Sequence, residues 1–381
     1  MEHSLDLTYH WAGFSALVVF VIAYAFVMAE EFTHLRKSKP GVLAAGLIWG
    51  MIAIAYSNTP HYEMVEHEIR HSFLEYTELA FFLLVAMTYI NALEERNVFN
   101  SLKSWLIKNQ FSYRQLFWIT GVLAFFLSPL ADNLTTALVL CAVVVAVGSS
   151  SPKFVGLACV NIVVAANAGG AFSPFGDITT LMVWQAGQLD FLQFFALVIP
   201  SVVNYIIPAS IMHFFVSDHK PDVAETSVTI KYGGKTIILL GLLTIVTAVS
   251  FHNFLHLPPV LGMMNGLAYL QLYSFYITIS VRDIEEQKYD FFENVARVEW
   301  DTLLFFFGVI LSVGGLGFIG YLEYVSEFMY TDLGATTANV LVGILSAIVD
   351  NIPVMFAVLT MEPAMPDSQW LLVTLTAVSY T

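Results

Sequence analysis

Long apolar runs separated by short polar links dominate this chain. A helix that crosses a membrane needs about 20 consecutive apolar residues, and most of these runs approach or exceed that length. The predicted apolar segments are residues 11–29, 41–56, 73–91, 115–149, 154–186, 191–216, 236–254, 259–280, 301–319, 336–361 and 369–381. Two further segments, 100–114 and 283–299, are polar or amphipathic, and we expect surface helices there. The pattern predicts an all-α polytopic membrane protein.

The composition agrees with this prediction and excludes other classes of protein. Hydrophobic residues make up 57% of the chain and charged residues 12%, whereas a typical soluble domain is about 25% charged. A water-soluble enzyme cannot hide so much apolar surface. The chain has 30 acidic and 15 basic residues. A nucleic-acid partner is therefore also excluded, because a phosphate backbone needs a basic surface. The lipid bilayer is the expected partner, and we expect neither enzymatic activity nor a cofactor.

Basic residues in short loops predict which side of the membrane each loop occupies, since Lys and Arg collect on the cytoplasmic side. Loop 30–40 carries Arg36, Lys37 and Lys39 and is therefore expected inside. The other loops expected inside are 94–114, 218–235 and 282–297. Loops 57–70 and 320–335 are mainly acidic and are expected outside.

Two apolar runs are interrupted in the middle. The run 115–149 would be about 52 Å long as a straight helix, but the hydrocarbon core is only about 30 Å thick. It contains Ser128-Pro129 followed by Asp132-Asn133, which is typical of a helix stop and a new helix start. Two half-helices either cross the membrane once with a kink or fold back as a re-entrant hairpin, and we predict the hairpin because the loops on both sides of 115–149 are expected inside. The run 154–186 contains Gly169-Gly170 and Ser173-Pro174, and this pattern predicts a broken helix.

The second part of the chain repeats motifs of the first. Residues 75–82 match residues 299–306, and residues 127–134 match residues 345–352. The loop charges give the two copies opposite orientations, so we predict inverted repeats, with a second hairpin at 336–361 that enters from outside. Inverted repeats with broken helices are typical of secondary transporters.

The repeats predict four consecutive segments. They are N-terminal helices (1–72), a first repeat (73–217), a connecting segment (218–298) and a second repeat (299–381). The second repeat is shorter, and the chain stops where its own broken helix is expected to begin. We therefore expect an incomplete second repeat, from a fragment or from a frameshift near Val378.

Acidic residues lie at the predicted interruptions. Asp132, Asp177 and Asp350 are each flanked by apolar helix, and an ionisable residue inside a membrane is a functional hypothesis by default. A carboxylate there holds either a proton or a small cation. The alternative is a purely structural role, because Asp is also a good N-cap. Glu78, a turn or so inside the outer edge of 73–91, is either a proton relay or an interfacial acid.

Neutral oxygen atoms accompany these carboxylates, and hard cations such as sodium prefer oxygen ligands. The candidate residues are Ser128, Asn133, Asn167, Thr179, Thr180, Ser346 and Asn351. We predict a sodium site formed by Asp132, Asn133, Asp177, Asp350 and Asn351 around one mid-membrane cavity.

Together these motifs resemble the NhaD-type sodium/proton antiporters of the ion transporter superfamily. The resemblance runs from residue 1 to about 376 and rests on 73–79, 128–136, 167–180, 299–302 and 346–353. It implies ion-handling roles for Glu78, Asp132, Asn133, Asn167, Asp177, Thr179, Thr180, Ser346 and Asn351. It also implies the bacterial cytoplasmic membrane, sodium or lithium exchanged for protons, pH homeostasis and salt tolerance. A homodimer is considered, and the oligomeric state stays open.

Three other interpretations remain. An arsenite or dicarboxylate transporter of the same superfamily is expected to place cationic or neutral groups at its site, whereas Lys and Arg are absent from the sequence around the three aspartates. An intramembrane aspartyl protease also needs two aspartates, but the Pro174-Phe-Gly-Asp177 segment begins with Pro where that motif has Gly. The third interpretation is a fragment without transport activity.

Overall fold

A computed structural model describes residues 6–57, 59–109, 111–148, 151–220, 228–280 and 289–378. These residues are mainly helical, and no strand occurs among them. The α-helices are α1 (Trp11–Met28), α2 (Glu30–Thr33), α3 (Ser38–Tyr56), α4 (Tyr62–Glu95), α5 (Val98–Lys108), α6 (Tyr113–Ala131), α7 (Asn133–Val147), α8 (Pro152–Gly170), α9 (Ile178–Gln185), α10 (Val198–His213), α11 (Gly234–Leu255), α12 (Pro259–Ser280), α13 (Phe291–Ala296), α14 (Trp300–Ile319), α15 (Tyr321–Ser326), α16 (Ala335–Ser346), α17 (Asn351–Thr360) and α18 (Asp367–Val378).

A 3₁₀ helix, Phe191–Leu197, leads into α10, and a π-helical segment, Glu327–Asp332, follows α15. Within the described ranges, eight helical segments are long and apolar enough to cross a membrane. The 22-residue α12 is not one of them. The prediction of an all-α polytopic membrane protein is confirmed.

Two predicted outer loops are wrong in part, because both contain helix. Helix α4 begins at Tyr62, inside the predicted loop 57–70, and it has 34 residues. At 1.5 Å per residue it is about 51 Å long, so its charged first turns extend beyond an apolar core of about 30 Å. An exposed ion pair between Arg70 and Glu66, at 2.6 Å, joins successive turns there. The predicted loop 320–335 contains α15 and the π-helical segment, since no Gly or Pro interrupts residues 321–332.

The two predicted surface helices are confirmed only in part. The helix predicted at 100–114 is α5, which ends at Lys108, and residues 113 and 114 already belong to α6. Ser112 and Gln115 form a capping box that starts α6 at Tyr113. Of the predicted segment 283–299, residues 291–296 form α13. Residues 283–288 and the basic residues Arg282 and Lys288 lie outside the described residues, as does part of loop 218–235.

The chain divides into two compact units. The first unit comprises Met1–Leu83 and Glu299–Val373, and the second unit comprises Leu84–Val298 and Thr374–Thr381. The four consecutive segments expected from the repeats, and the inverted repeat itself, stay predictions.

In the first unit, α3 and α14 run parallel. Ser38 donates a hydrogen bond to Asp301 near their starts, at 2.5 Å, and the rings of Tyr56 and Phe318 meet near their ends, with centroids 5.3 Å apart. A methyl group added at Gly308 would collide with the backbone of Gly41, so the absence of side chains lets the two helices touch.

Helix α4 runs in the opposite direction to α14. Ser72 lies against Gly314, and the ring of Tyr76, one turn later in α4, packs against Phe307, two turns earlier in α14. Helices α4 and α14 are therefore antiparallel where they touch.

In the second unit, α6 and α7 form the predicted hairpin. The ring of Tyr113, at the start of α6, lies 4.3 Å from that of Phe154, centroid to centroid, and Gly148, after the end of α7, packs against the same Phe154 near the start of α8. The other end of α8 meets the end of α6, where Gly170 lies beside Ser128. The chain therefore folds back between α6 and α7, and this part of the prediction is confirmed. The helix stop is later than predicted, because α6 continues through Ser128-Pro129 to Ala131.

The second predicted hairpin, α16 and α17, belongs to the first unit. Near the start of α16, Asn339 donates a hydrogen bond to the Gln369 carbonyl at 2.9 Å, and the Gln369 side chain donates to Thr336 at 2.9 Å. Gln369 belongs to α18, so these bonds join the start of α16 to the start of α18. The fold-back at 336–361 stays a prediction.

Candidate functional site

The tip of the first hairpin meets the break between α8 and α9. The backbone N–H of Asn133 donates to the Gly176 carbonyl at 3.0 Å. Its side-chain amide donates to the Asn167 side-chain oxygen at 3.0 Å and to Asp177 Oδ2 at 2.5 Å. Three residues predicted from two separate motifs are thus in direct contact.

Of the three aspartates predicted at the helix breaks, Asp177 is the most buried, with 6% of its surface exposed. It caps α9, because Oδ1 accepts hydrogen bonds from the Thr179 backbone N–H at 2.8 Å and from the Thr179 hydroxyl at 2.7 Å. Its other oxygen accepts from Asn133. Each of these donors is a neutral group that stabilises the charge without cancelling it.

Thr180 bonds to the backbone of the broken segment and not to the Asp177 carboxylate. Its hydroxyl donates to the Ser173 carbonyl at 2.8 Å and to the Asp177 carbonyl at 2.7 Å. The Ser173 hydroxyl in turn donates to the Pro129 carbonyl at 3.1 Å. The non-helical backbone between α8 and α9 is thereby attached to the end of α6. This arrangement agrees with the rule that irregular backbone at membrane depth is buried in protein or lines a cavity.

Asp132 caps α7. Its Oδ1 accepts from the Thr135 N–H at 2.8 Å, and its Oδ2 accepts from the Thr135 hydroxyl at 2.9 Å. The residue is half-buried, and its φ of 54° lies in the left-handed region that L residues rarely adopt. Backbone strain of this kind is concentrated at functional sites. The capping role proposed as the structural alternative is therefore real, and an ion-handling role for Asp132 stays a prediction.

Four helix ends converge on this tip. The half-helices α7 and α9 begin there with aspartate caps, while α6 and α8 end there. Carbonyl groups at a helix C-terminus carry partial negative charge and favour cations. The tip therefore offers carboxylate, amide, hydroxyl and backbone oxygens in one place, which suits a hard monovalent cation.

Two buried hydroxyls at this tip lack hydrogen-bond partners among the described residues. They are Ser128 Oγ on α6 and Thr136 Oγ1 on α7, in residues that are 0% and 3% exposed. A buried hydroxyl without a partner is costly. Ser128 is among the predicted residues, but Thr136 is not. The sequence signal for Thr136 is its position one turn after Asp132, and this position does not distinguish it from an ordinary helical threonine.

The tip of the second hairpin has a different chemistry. Asp350 Oδ1 accepts from the Ile352 N–H at 3.2 Å, and Oδ2 lies 3.2 Å from the ammonium nitrogen of Lys37. No Lys or Arg lies near Asp350 in the sequence, but the fold brings Lys37 to its carboxylate from 313 positions away. Ser346 and Asn351 are buried at the same hairpin, 1% and 8% exposed.

Glu78 is half-buried near the middle of α4, which begins at Tyr62 and therefore extends the predicted segment 73–91 toward the N-terminus. It belongs to the first unit, together with Asp350, while Asp132 and Asp177 belong to the second. Its role as a relay, and a single cavity shared by the three aspartates, stay predictions.

Comparison with known proteins agrees with the resemblance seen in the motifs. The family model described as citrate transporter matches residues 11–378. The chain is 54% identical to the Na(+)/H(+) antiporter NhaD of Vibrio cholerae over 98% of this chain and 83% of that protein. It is 52% identical to NhaD of Alkalimonas amylolytica, over 98% and 82%, and 51% identical to NhaD of Halomonas elongata, over 98% and 80%. The chain therefore belongs to the citrate transporter family and, within it, to the group of the NhaD-type antiporters.

Proposed function

We propose that this chain is a secondary transporter that exchanges sodium for protons across the bacterial cytoplasmic membrane. The observation that carries the proposal is the contact of Asp177 with Asn133 at the tip of the first hairpin, where four helix ends meet. The relatives bearing the name Na(+)/H(+) antiporter support the same activity. We infer that lithium, which carries the same charge and also prefers oxygen ligands, is accepted as well.

The exchange follows from a competition at Asp177. In the ion-free arrangement, the Asn133 amide group donates to one carboxylate oxygen. A sodium ion takes the place of this donor, and rotation of the amide group turns its oxygen toward the ion. Asn167 and Thr179 supply further neutral oxygens beside the carboxylate. A proton bound to Asp177 removes the negative charge that sodium needs, so the two cargoes exclude each other.

Alternating access follows from the hairpin. Interrupted helices at the substrate site let one group of helices move against another while the site stays intact. Because the non-helical backbone is attached to α6 through Ser173 and Pro129, we expect the hairpin and the broken helix to move together as one body.

Transport of citrate or another dicarboxylate is the second candidate, since the matching family model is described as citrate transporter. A carboxylate substrate would meet Asp132 and Asp177 at the first hairpin, and like charges at short distance repel. Sodium exchange fits these residues better.

The proposal is tested in everted membrane vesicles from bacteria that lack their own sodium/proton antiporters. A pH-sensitive dye reports proton movement after addition of sodium, lithium, potassium or citrate. We expect signals with sodium and lithium, and their loss in Asp177→Asn. The matched control is Asp190→Asn, the same change at an exposed aspartate of the same unit, which is expected to keep the signal. A sodium signal that survives in Asp177→Asn would falsify the assignment, and a response to citrate alone would favour the second candidate.

A further inference from the structure

Lys37 is the one cation found at a hairpin tip among the described residues. It precedes α3, and its ammonium nitrogen lies 3.2 Å from Asp350 Oδ2 and 4.4 Å from the centroid of the Phe305 ring. The two partners keep 29% and 25% of their side-chain surface exposed. Both contacts favour a positive charge at this position, since a carboxylate and the face of an aromatic ring each attract cations.

An apolar cavity between α1, α3 and α14 lies beside this pair. Its lining includes Tyr24, Gly41, Phe305 and Ser312. The hydroxyl oxygens of Tyr24 and Ser312 are buried and have no hydrogen-bond partner in the described part of the chain, and Tyr24 interacts electrostatically with Asp350. Among the described residues, two buried hydroxyl oxygens without partners therefore line the cavity beside Phe305, the ring over which the Lys37 ammonium lies.

We propose that Lys37 is a tethered cation that holds the cation position of Asp350, so that a sodium ion binds there only when the ammonium moves away. This inference rests on the proposed function, since it takes sodium as the cargo. An ammonium and a sodium ion each carry one positive charge and both seek oxygen atoms. The four-carbon stem of lysine is flexible, so the ammonium swings out while its backbone stays at the start of α3.

The Lys37–Asp350 pair is only partly buried, and this allows the ammonium to leave the carboxylate. A fully buried ion pair would be too costly to separate, because one charge would remain uncompensated away from water. Here both side chains are about one-quarter exposed, and the incoming sodium compensates the carboxylate. A tethered group competes at a high and constant effective concentration. When the ammonium occupies the carboxylate for about four-fifths of the time, the apparent affinity for sodium is about fivefold weaker than the intrinsic one.

The competing explanation is that Lys37 and Asp350 form a structural clamp between the start of α3 and the second hairpin. The two explanations differ in sodium dependence. Removing a clamp lowers stability by the same amount at every sodium concentration. Removing a competitor makes sodium bind more tightly, and tighter binding raises the stability of the folded state at a lower sodium concentration.

The experiment measures thermal stability of the full chain in detergent while sodium chloride replaces choline chloride at constant ionic strength. It uses the Asp177→Asn background, so that the first hairpin contributes no carboxylate. We expect Lys37→Met to lower the sodium concentration for half-maximal stabilisation by at least about fivefold, and Lys37→Arg, which keeps the charge, to stay near the parent. The added Asp350→Asn substitution is expected to abolish the gain. Lys39→Met, at an exposed lysine of the same helix start, is the matched control.

An unchanged half-maximal concentration in Lys37→Met, with or without lower stability, overturns the proposal and leaves the clamp. Lys37→Gln, which keeps the length of the side chain and a polar end, gives the same comparison should the Met variant fail to fold. The two proposals fail separately. Loss of every sodium response in the unsubstituted chain refutes sodium exchange, whereas normal exchange with an unaltered Lys37→Met titration refutes only the role of Lys37.

Discussion

Replacing Thr136 by Val is expected to make the protein more stable and a weaker sodium binder. The substitution keeps the shape of the side chain and removes a buried hydroxyl, in a residue that is 3% exposed, which has no hydrogen-bond partner among the described residues. An unsatisfied buried hydroxyl costs about 1–3 kcal/mol. In sodium-free buffer we therefore expect the free energy of unfolding to rise by about 1 kcal/mol.

The same hydroxyl lies one turn after Asp132, at the end of α7 that meets the broken helix. As an oxygen ligand of the ion it would contribute about 1.4 kcal/mol, which corresponds to a tenfold change in affinity. We therefore expect the KM for sodium of Thr136→Val to rise by about tenfold, with little change in the maximal rate. Denaturant unfolding in detergent measures the first effect, and dye signals from everted vesicles at graded sodium concentrations measure the second.

Thr135→Val is the matched control, because the neighbouring hydroxyl is satisfied. It donates to Asp132 Oδ2 at 2.9 Å, so its removal is expected to lower the free energy of unfolding by about 1 kcal/mol. The two substitutions are chemically identical and are expected to have opposite signs. A Thr136→Val protein that is less stable without sodium, or that keeps the KM of the parent, refutes the reasoning.

Three further substitutions test other parts of the structure. Asp132→Asn keeps a good N-cap. Vesicles with this variant are expected to lose sodium-driven proton movement, while the free energy of unfolding in detergent changes by less than about 1 kcal/mol. A loss of transport that is accompanied by a larger loss of stability would assign Asp132 to capping alone. Arg96→Met removes the fully buried partner of Glu95, 2.5 Å away, while Glu95 itself is 22% exposed; the change is expected to lower the free energy of unfolding by about 1–3 kcal/mol in denaturant, and an unchanged free energy contradicts a stabilising ion pair. Gly308→Ala, which drives a methyl group into a neighbouring backbone, is expected to cost about 1–3 kcal/mol; Gly46→Ala meets nothing within 4 Å and serves as its control, which is expected to cost nothing because Ala is the better helix former.

The apolar pattern and the local turn chemistry were sufficient to predict the helices and their interruptions. The hairpin at 115–149 followed from its excess length and from the Asp132-Asn133 start signal, and the break in 154–186 followed from its Gly and Pro residues. These properties depend on neighbouring residues alone. The errors arose where a polar stretch continues an adjacent helix, as at Tyr62, because charged side chains in water do not stop a helix.

Length, hydrophobicity and capping act over a few residues, so the amino-acid sequence is enough to predict the helical membrane class, the places where helices break and the carboxylates at those breaks. Which side chains meet depends on the packing of the helices. This packing brought Asn133 to Asp177, gave the Thr136 hydroxyl no partner among the described residues, and placed Lys37 against Asp350 across 313 positions. The physical reason is that these contacts depend on how helices distant in the chain pack together, and neither residue of such a pair carries a local signal of the other.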